Sequence, residues 1–396
     1  MISLTALASV LVALSVAAVL SKYKVIRVAE GSSRYASIDG VRGLLALVVF
    51  FHHYMITYYW KQTGNWSSPP SELYENFGKV GVSVFFMITG FLFIGKLLDT
   101  EKPNWLTIFS SRAYRILPLY LAALIAITVI VIFASEPNQF STNFELLKDY
   151  TRWFLFIGGP ISGFEDTPKI IAGVHWTLKY EWLFYLALPA IALTLKLGRR
   201  AIFFLSATVI VLSVFPITAF NLINTVHLLF FLIGGFTAKL VRLPKDCSKI
   251  AESKLASTAA VLLLLIALYA TSPLSLLQAV ALGLLFTLVA SGNSIFGLLT
   301  CRPCRLLGEI SYSVYLLHGL LLYIAFTLVF PNAIGRLSLG EYMAVMPLLT
   351  IVVVLVSTQT FKFVEDPMIR LGKYRASKHI SHQNLKITEL KPKPLP

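Results

Sequence analysis

The stretch ILPLYLAALIAITVIVIFA, Ile116–Ala134, decides the fold. It holds no charged residue, and its polar and apolar positions do not alternate as they would in a half-buried strand. At about 1.5 Å per residue, a helix of this length comes close to spanning the ~30 Å hydrocarbon core of a bilayer. In hydrocarbon every backbone N–H and C=O needs an internal partner, so only helices or a closed barrel can cross. The rest of the chain repeats the pattern, with apolar runs at about 4–20, 41–60, 80–98, 116–135, 174–196, 201–219, 226–241, 255–272, 275–292, 310–330 and 342–362. Composition agrees. Hydrophobic residues make up 57% and charged residues 13%, with a mean hydropathy of +0.75, where a soluble domain averages about 25% charged residues. The expected fold is all-α, a polytopic transmembrane helical bundle of about eleven spans.

The net charge of +15 would suggest nucleic acid on a soluble protein. Here the positions of the charges matter more, and no nucleic-acid partner is expected. With the N-terminus outside, the cytosolic segments 21–42, 96–115, 196–200, 239–254, 302–309 and 362–396 hold 27 of the 34 Lys and Arg residues. That is the positive-inside bias, and it predicts a C-terminus in the cytosol. The first run lacks a positive n-region and is followed by its cations Lys22, Lys24 and Arg27, so it reads as a retained helix. Residues 1–35 are then an extra N-terminal helix and linker, 36–370 the membrane domain, and 371–396 a basic cytosolic tail, solvated near anionic lipid. The outer segment 136–173, with its Trp153–Ile157 run followed by Gly158, Gly159 and Pro160, suits an interfacial or re-entrant piece. The cysteines Cys247, Cys301 and Cys304 give no disulfide framework, and no metal is expected: the Cys301/Cys304 spacing lacks a second pair.

Ionisable side chains inside a membrane are costly and are functional candidates by default. In the second run Arg42 and His53 are eleven positions apart. That separation is three turns plus about 20°, so both lie on one helix face, about 16 Å apart along the axis. Arg42 could grip a phosphate in two places and His53 could accept a proton; a snorkelling arginine and an interfacial histidine are the alternative. Arg112 and Arg115, three apart, share a face before Pro118 and Tyr120, as an anion clamp or as positive-inside anchors. In the fifth run Glu181 lies a turn deeper than the aromatic belt around Trp176 needs, and calls for an Arg or His partner from another helix. Ser311, Tyr315 and His318 recur at i, i+4 and i+7 as a polar stripe that should face a cavity. His227 reads as interfacial. The small residues between Gly81 and Gly90 suit close helix packing.

Taken in order, these segments resemble the acyltransferase-3 family of integral membrane acyltransferases, over about residues 36–370. Ile38-Asp39-Gly40-Val41-Arg42-Gly43 with His53 is similar to the family's DGxRG opening and Arg-x10-His signature. Gly81–Phe91 is similar to GVxxFFxxSGF, Arg112–Tyr120 to RxxRIxPxY, and Trp176–Tyr185 to WSLxxExxFY. Gly308–His318 is similar to GxxSYxxYLxH, and Glu365-x-Pro367 to the closing ExP. Thr89 and Thr177 stand where the family usually has Ser, and Ser83 where Asp is frequent; no SGNH-type esterase domain follows.

The resemblance implies O-acylation, most often acetylation, of a sugar in a cell-surface polysaccharide or lipid-linked glycan, by a multi-pass protein of the bacterial inner membrane. No cofactor is bound permanently, and acetyl-CoA or another acyl-CoA is the donor substrate. Arg42, Arg112 and Arg115 would bind the donor. His53 would be general base or transient acyl carrier, with Glu181 orienting it or holding the acceptor. Asp39, Tyr120, Trp176, Ser311, Tyr315 and His318 would line the pocket. Membrane lipid is a partner, and a homo-oligomer is left open. A transporter or flippase of a glycolipid or metabolite is the alternative from another class. Transfer of succinyl or longer acyl groups, or to a macrolide or lipid, is the alternative among enzymes.

Overall fold

Each apolar run of the sequence lies on a helix in the computed structural model, which describes residues 2–28, 35–134, 142–215, 218–219, 223–243 and 250–389. The chain begins with α1 (Ile2–Lys22), α2 (Ala36–Thr63), α3 (Glu72–Leu98) and α4 (Trp105–Ala134). Two short helices, α5 (Asn143–Phe154) and α6 (Thr167–Ile170), lead into α7 (His175–Leu197) and α8 (Arg199–Val214). A two-residue antiparallel pair, β1 (Thr218–Ala219) and β2 (Ile223–Asn224), precedes α9 (Val226–Leu240), α10 (Lys254–Tyr269) and α11 (Leu276–Ala290). The last helices are α12 (Arg302–Glu309), α13 (Ser311–Tyr323), α14 (Ala333–Arg336), α15 (Leu339–Thr360) and α16 (Asp366–Glu389).

Among the described residues, seven helical stretches are long and apolar enough to cross a bilayer: Ser3–Lys22, Ala36–Thr63, Glu72–Leu98, Trp105–Ala134, His175–Leu197, Ser311–Val329 and Leu339–Lys378. The other four expected runs form α8 to α11, of 15 or 16 residues. At 1.5 Å per residue these measure about 24 Å or less, short of the ~30 Å core. The eleven runs therefore separate into seven that qualify by length and four that do not. The outside of the bundle is apolar where it is exposed, at Ile125, Phe133, Leu186, Phe203 and Leu348 among others, as lipid contact requires.

Local chemistry starts several helices. Thr142 with Glu145, and Ser338 with Glu341, form capping boxes at α5 and α15; Ser253 and Ser275 cap α10 and α11. Two apolar cores result. One joins α1, α2, α4, α12, α13 and α15; the other joins α3, α9, α10 and α11. The α3–α9 crossing depends on small residues. A Cβ on Gly90 would sit 2.2 Å from the Phe231 carbonyl oxygen, and one on Gly234 2.0 Å from that of Met87, so these backbones approach as only glycine permits.

The tail expected to be solvated from about residue 371 continues as α16, and its first turns dock on α4, where Arg375 donates to the Tyr114 hydroxyl. The segment between α4 and α7, expected to be interfacial or re-entrant, turns back into the bundle. After α5, Ile161, Ile170, Ile171 and Val174 are buried, Trp153 Nε1 donates to Gly159 O at 3.0 Å, and the Tyr120 hydroxyl donates to Trp153 O at 2.7 Å. Its first part, 136–141, and Cys247 lie outside the described residues.

Candidate active site

The N-terminal halves of α2, α4, α7 and α13 come together beside the middle and C-terminal half of α3. Between these five helices lies a cavity of about 250 Å³. Asp39, Arg42, Arg112 and Arg115 line it, with Ser311 and Tyr312. A turn or two further into the bundle, Thr89, Glu181 and Tyr185 contribute polar atoms, and Val82, Phe85, Phe86, Thr177 and Tyr315 form the inner wall. The three arginines come from two helices that are far apart in sequence. Glu309, on α12, stands within the electrostatic reach of Arg115, Arg42 and Asp39, so the arginine end holds both signs. Burial holds the Glu309 carboxyl above the ordinary carboxylate range, while Arg115 and Arg42 pull it down.

Glu181 has no ion pair with His53. The Tyr185 hydroxyl donates to Glu181 Oε2 at 2.9 Å, and Thr89 Oγ1 donates to Oε1 at 3.4 Å. Arg112 lies over the Phe93 ring, at 5.2 Å from its centroid, and within the field of Glu181. The expected arginine partner is thus present as a neighbour, but hydroxyls hold the carboxylate. Tyr185 is four residues from Glu181 on the same helix, so the i, i+4 spacing contained this contact. Glu309 left no comparable signal, because its role depends on a helix packing that sequence does not display.

His53 and His318 do not line this cavity; they meet each other beyond its inner wall. His318 Nδ1 is 3.0 Å from Val314 O, and its Nε2 is 3.0 Å from His53 Nδ1, which is itself 3.1 Å from Val49 O. A carbonyl oxygen can only accept, so His318 carries its proton on Nδ1. Its Nε2 then presents a lone pair, and His53 must donate from Nδ1. In neutral rings, this fixes His53 Nε2 as an unprotonated lone pair, the atom a general base needs. His318 is fully buried and His53 only partly so. Tyr315 joins the two regions. Its ring is 6.2 Å from that of His318 and 5.7 Å from that of Phe85. Thr177 gives its hydroxyl proton to Val174 O at 3.0 Å, so Tyr315 donates to Thr177 Oγ1 at 2.9 Å.

Three expected members stand elsewhere. Tyr120 is 1% exposed and ties α4 to α5. Trp176 faces away from the cavity, toward His227 and Tyr180. His227, expected at an interface, is enclosed by Trp176, Tyr180 and Phe86. His318 leaves the stripe it was expected to share: Ser311 and Tyr315 line the cavity, and His318 does not. Glu365 is buried in a π-helical turn between α15 and α16, where it accepts from the Ser313 hydroxyl.

This assembly of arginines, a hydroxyl-bound carboxylate and an imidazole pair draws on five sequence segments in one order, and the Acyltransferase domain of one family matches residues 35–361. The chain belongs to the acyltransferase-3 family. Neither the curated proteins nor the solved structures give a match. Membership makes the protein a membrane acyltransferase and weighs against the transporter reading. The Arg-x10-His signature of the family therefore has two ends in different surroundings: Arg42 opens on the cavity, and His53 is bound to His318 behind it.

Proposed function

We propose that this acyltransferase moves an acyl group, acetyl in the simplest case, from cytosolic acyl-CoA to a hydroxyl of a cell-surface or lipid-linked glycan, in the inner membrane of a bacterium. The observation that carries the reading is the pairing of an arginine-lined cavity with an imidazole lone pair at His53 Nε2 behind it. The arginine end belongs to the side on which 27 of the 34 Lys and Arg residues fall, which supports a cytosolic mouth. Arg42, Arg112 and Arg115 suit the phosphates of the donor, since a guanidinium binds phosphate in bidentate fashion. The cavity volume, about 250 Å³, lies below the roughly 300–1,000 Å³ of pockets that bury a whole drug-sized ligand. It fits a slender thioester arm with a short acyl group, which favours acetyl over longer chains.

In the reaction, the acceptor hydroxyl gives its proton to His53 Nε2 as its oxygen bonds to the thioester carbonyl carbon. The C–S bond breaks, and the imidazolium returns its proton to the departing sulfur, which leaves as the free thiol of the donor and restores the base. His318 and the Val49 carbonyl accept the His53 Nδ1 hydrogen throughout, which holds the ring in the competent tautomer. To meet the thioester, Tyr315 must turn from Thr177. Glu181, held by Tyr185 and Thr89, supports the cavity's polar wall and is a positioning group for the donor.

Membranes holding the protein should transfer labelled acetyl from acetyl-CoA to a carbohydrate acceptor, and surface glycans from cells with the gene should carry acetyl groups that are missing without it. Identical glycan masses in the two, with no label transferred, would overturn the reading.

A further inference from the structure

We infer that Ser311 recognises the arm of the acyl-CoA, by donating its hydroxyl hydrogen to an amide carbonyl that lies between the phosphates and the thioester. The inference rests on the acyl-CoA reading of the cavity and deepens it. Among the described residues, six hydroxyl side chains line the cavity: Thr89, Thr177, Tyr185, Ser311, Tyr312 and Tyr315. Five of them have given their hydrogens to the protein. Thr89 and Tyr185 donate to Glu181, Thr177 to Val174 O, Tyr312 to Ile116 O at 2.9 Å, and Tyr315 to Thr177 Oγ1. Ser311 has not. It is 1% exposed, and its buried Oγ has no hydrogen-bond partner. Buried polar groups are hydrogen-bonded as a rule, so an open one on a cavity wall marks a contact that a ligand completes. A step between staggered rotamers is enough to turn this short side chain along that wall.

The depth of Ser311 decides which part of the ligand it meets. The helix α2 and the segment α12–α13 run in register. Gly43 abuts Gly308, since a Cβ on Gly43 would lie 2.7 Å from the Gly308 backbone nitrogen, and ten residues further along each, His53 meets His318. Ser311 is three residues past Gly308, so it lies about 6 Å deeper than the level of Arg42 and about 10 Å short of the level of His53. A hydroxyl bonds across about 3 Å. It therefore cannot hold a thioester carbonyl that is placed at His53.

The arm offers two other acceptors, its amide carbonyls. The second of these lies nine bonds from the thioester carbonyl, as far as three residues of extended chain reach, or about 10 Å. The first is only about half as far. The second amide carbonyl thus arrives at Ser311 when the acyl group arrives at His53. An acyl phosphate, which has no such arm, would leave the hydroxyl unsatisfied. Ser311 is on this account a specificity-determining residue, selecting thioesters with a peptide-like arm while the arginines select phosphate.

The test is displacement of radiolabelled acetyl-CoA from the purified protein in lipid nanodiscs, with no acceptor present. The competitors are unlabelled acetyl-CoA, S-acetylpantetheine, which keeps both amides but no phosphate, and S-acetyl-N-acetylcysteamine, which ends at the first amide. The variant is Ser311→Ala. Because Oγ has no partner in the protein, its removal breaks no bond of the fold, and alanine is the stronger helix former. The variant should bind acetyl-CoA and S-acetylpantetheine more weakly by one common factor, about threefold to tenfold for a neutral hydrogen bond. It should bind S-acetyl-N-acetylcysteamine as the parent does. A loss confined to acetyl-CoA would assign Ser311 to the phosphates, and an equal loss with the truncated thioester would assign it to the acyl end; either overturns the proposal. So does a parent protein from which S-acetylpantetheine displaces no label, since the arm would then make no contact of its own. The two readings fail separately. A parent that binds no acetyl-CoA removes the acyl-CoA reading and this contact with it, whereas acetyl-CoA binding that Ser311→Ala leaves unchanged removes the contact alone.

Discussion

The arginine-lined cavity takes its polar groups from five helices and gathers them around one open volume, whereas the histidine pair takes its partners from two helices and their own backbone carbonyls. Charges are plentiful in the first region and mixed in sign. In the second there are two neutral rings whose tautomers follow from one another. A charged, open site tolerates motion and recognises by field; a pair of mutually oriented rings fixes one lone pair and little else. The difference suggests a division of labour, with donor recognition at one end of α2 and proton transfer about 16 Å along it. The predictions below ask whether the two ends can be broken independently.

The largest effect belongs to His53. Replacement by Ala should lower kcat by roughly 10²–10⁴, the usual worth of a general base, with the protein still inserted in the membrane at normal abundance. Activity near the parental level would remove His53 from the chemistry and leave the cavity as the whole site.

His318 comes next, because it acts through His53. His318→Leu takes away the inter-helix acceptor for the His53 Nδ1 hydrogen and leaves it only the carbonyl of Val49 on its own helix. The expected loss in kcat is about tenfold to a hundredfold, the rate equivalent of an orienting hydrogen bond to a ring that becomes charged. The donor KM should stay constant. His318→Gln, whose side-chain oxygen can accept, should recover part of the loss. A donor KM that moves with kcat in both variants would show that the two regions are not separable.

The opposite signature is expected at the arginines. Arg42→Lys and Arg115→Lys keep the charge but lose the bidentate fork, so the donor KM should rise by about tenfold with kcat retained. If kcat collapses and KM holds, these arginines serve the chemistry and not recognition.

The cavity was more legible in the sequence than the histidine pair. Arg42, Arg112, Arg115, Glu181, Ser311 and Tyr315 all lie in motifs with helical spacing, and each lines the cavity. Spacing reports which residues share a helix face, and that is the geometry the cavity uses. The meeting of His53 and His318, 265 positions apart, depends on how α2 packs against α13, which spacing along one helix does not encode. The single-face reading therefore grouped His318 with Ser311 and Tyr315 and missed its partner. Helix length is likewise not set by spacing along one helix. Apolar content identified α8 to α11, but their 15 or 16 residues are a property of where caps and turns fall. Gly198, at φ 95°, precedes α8, and Ser253 and Ser275 begin α10 and α11.

The smallest effect is at Glu309, and it tests whether the cavity works by field. Its carboxyl is held above the ordinary carboxylate range by burial, against the pull of Arg115 and Arg42. A raised folded value means that the protonated form is favoured on folding, so the stability from this group is present at low pH and is lost as pH rises through the folded value. The same protonation removes a counter-charge from the arginines. As pH falls from neutrality into the upper carboxylate range, Glu309 should neutralise before an ordinary glutamate, and the cluster should bind donor phosphate more tightly. Glu309→Gln mimics that state at every pH. At neutrality the variant should show a donor KM about twofold to fivefold below the parent, or ~0.5–1 kcal/mol for a partly exposed charge. The ratio of the two KM values cancels the donor's own phosphate ionisation. It should fall toward one as the pH is lowered. A ratio constant across pH would mean that the arginines read phosphate by contact geometry alone, and that the mixed charge at this end of the bundle is structural.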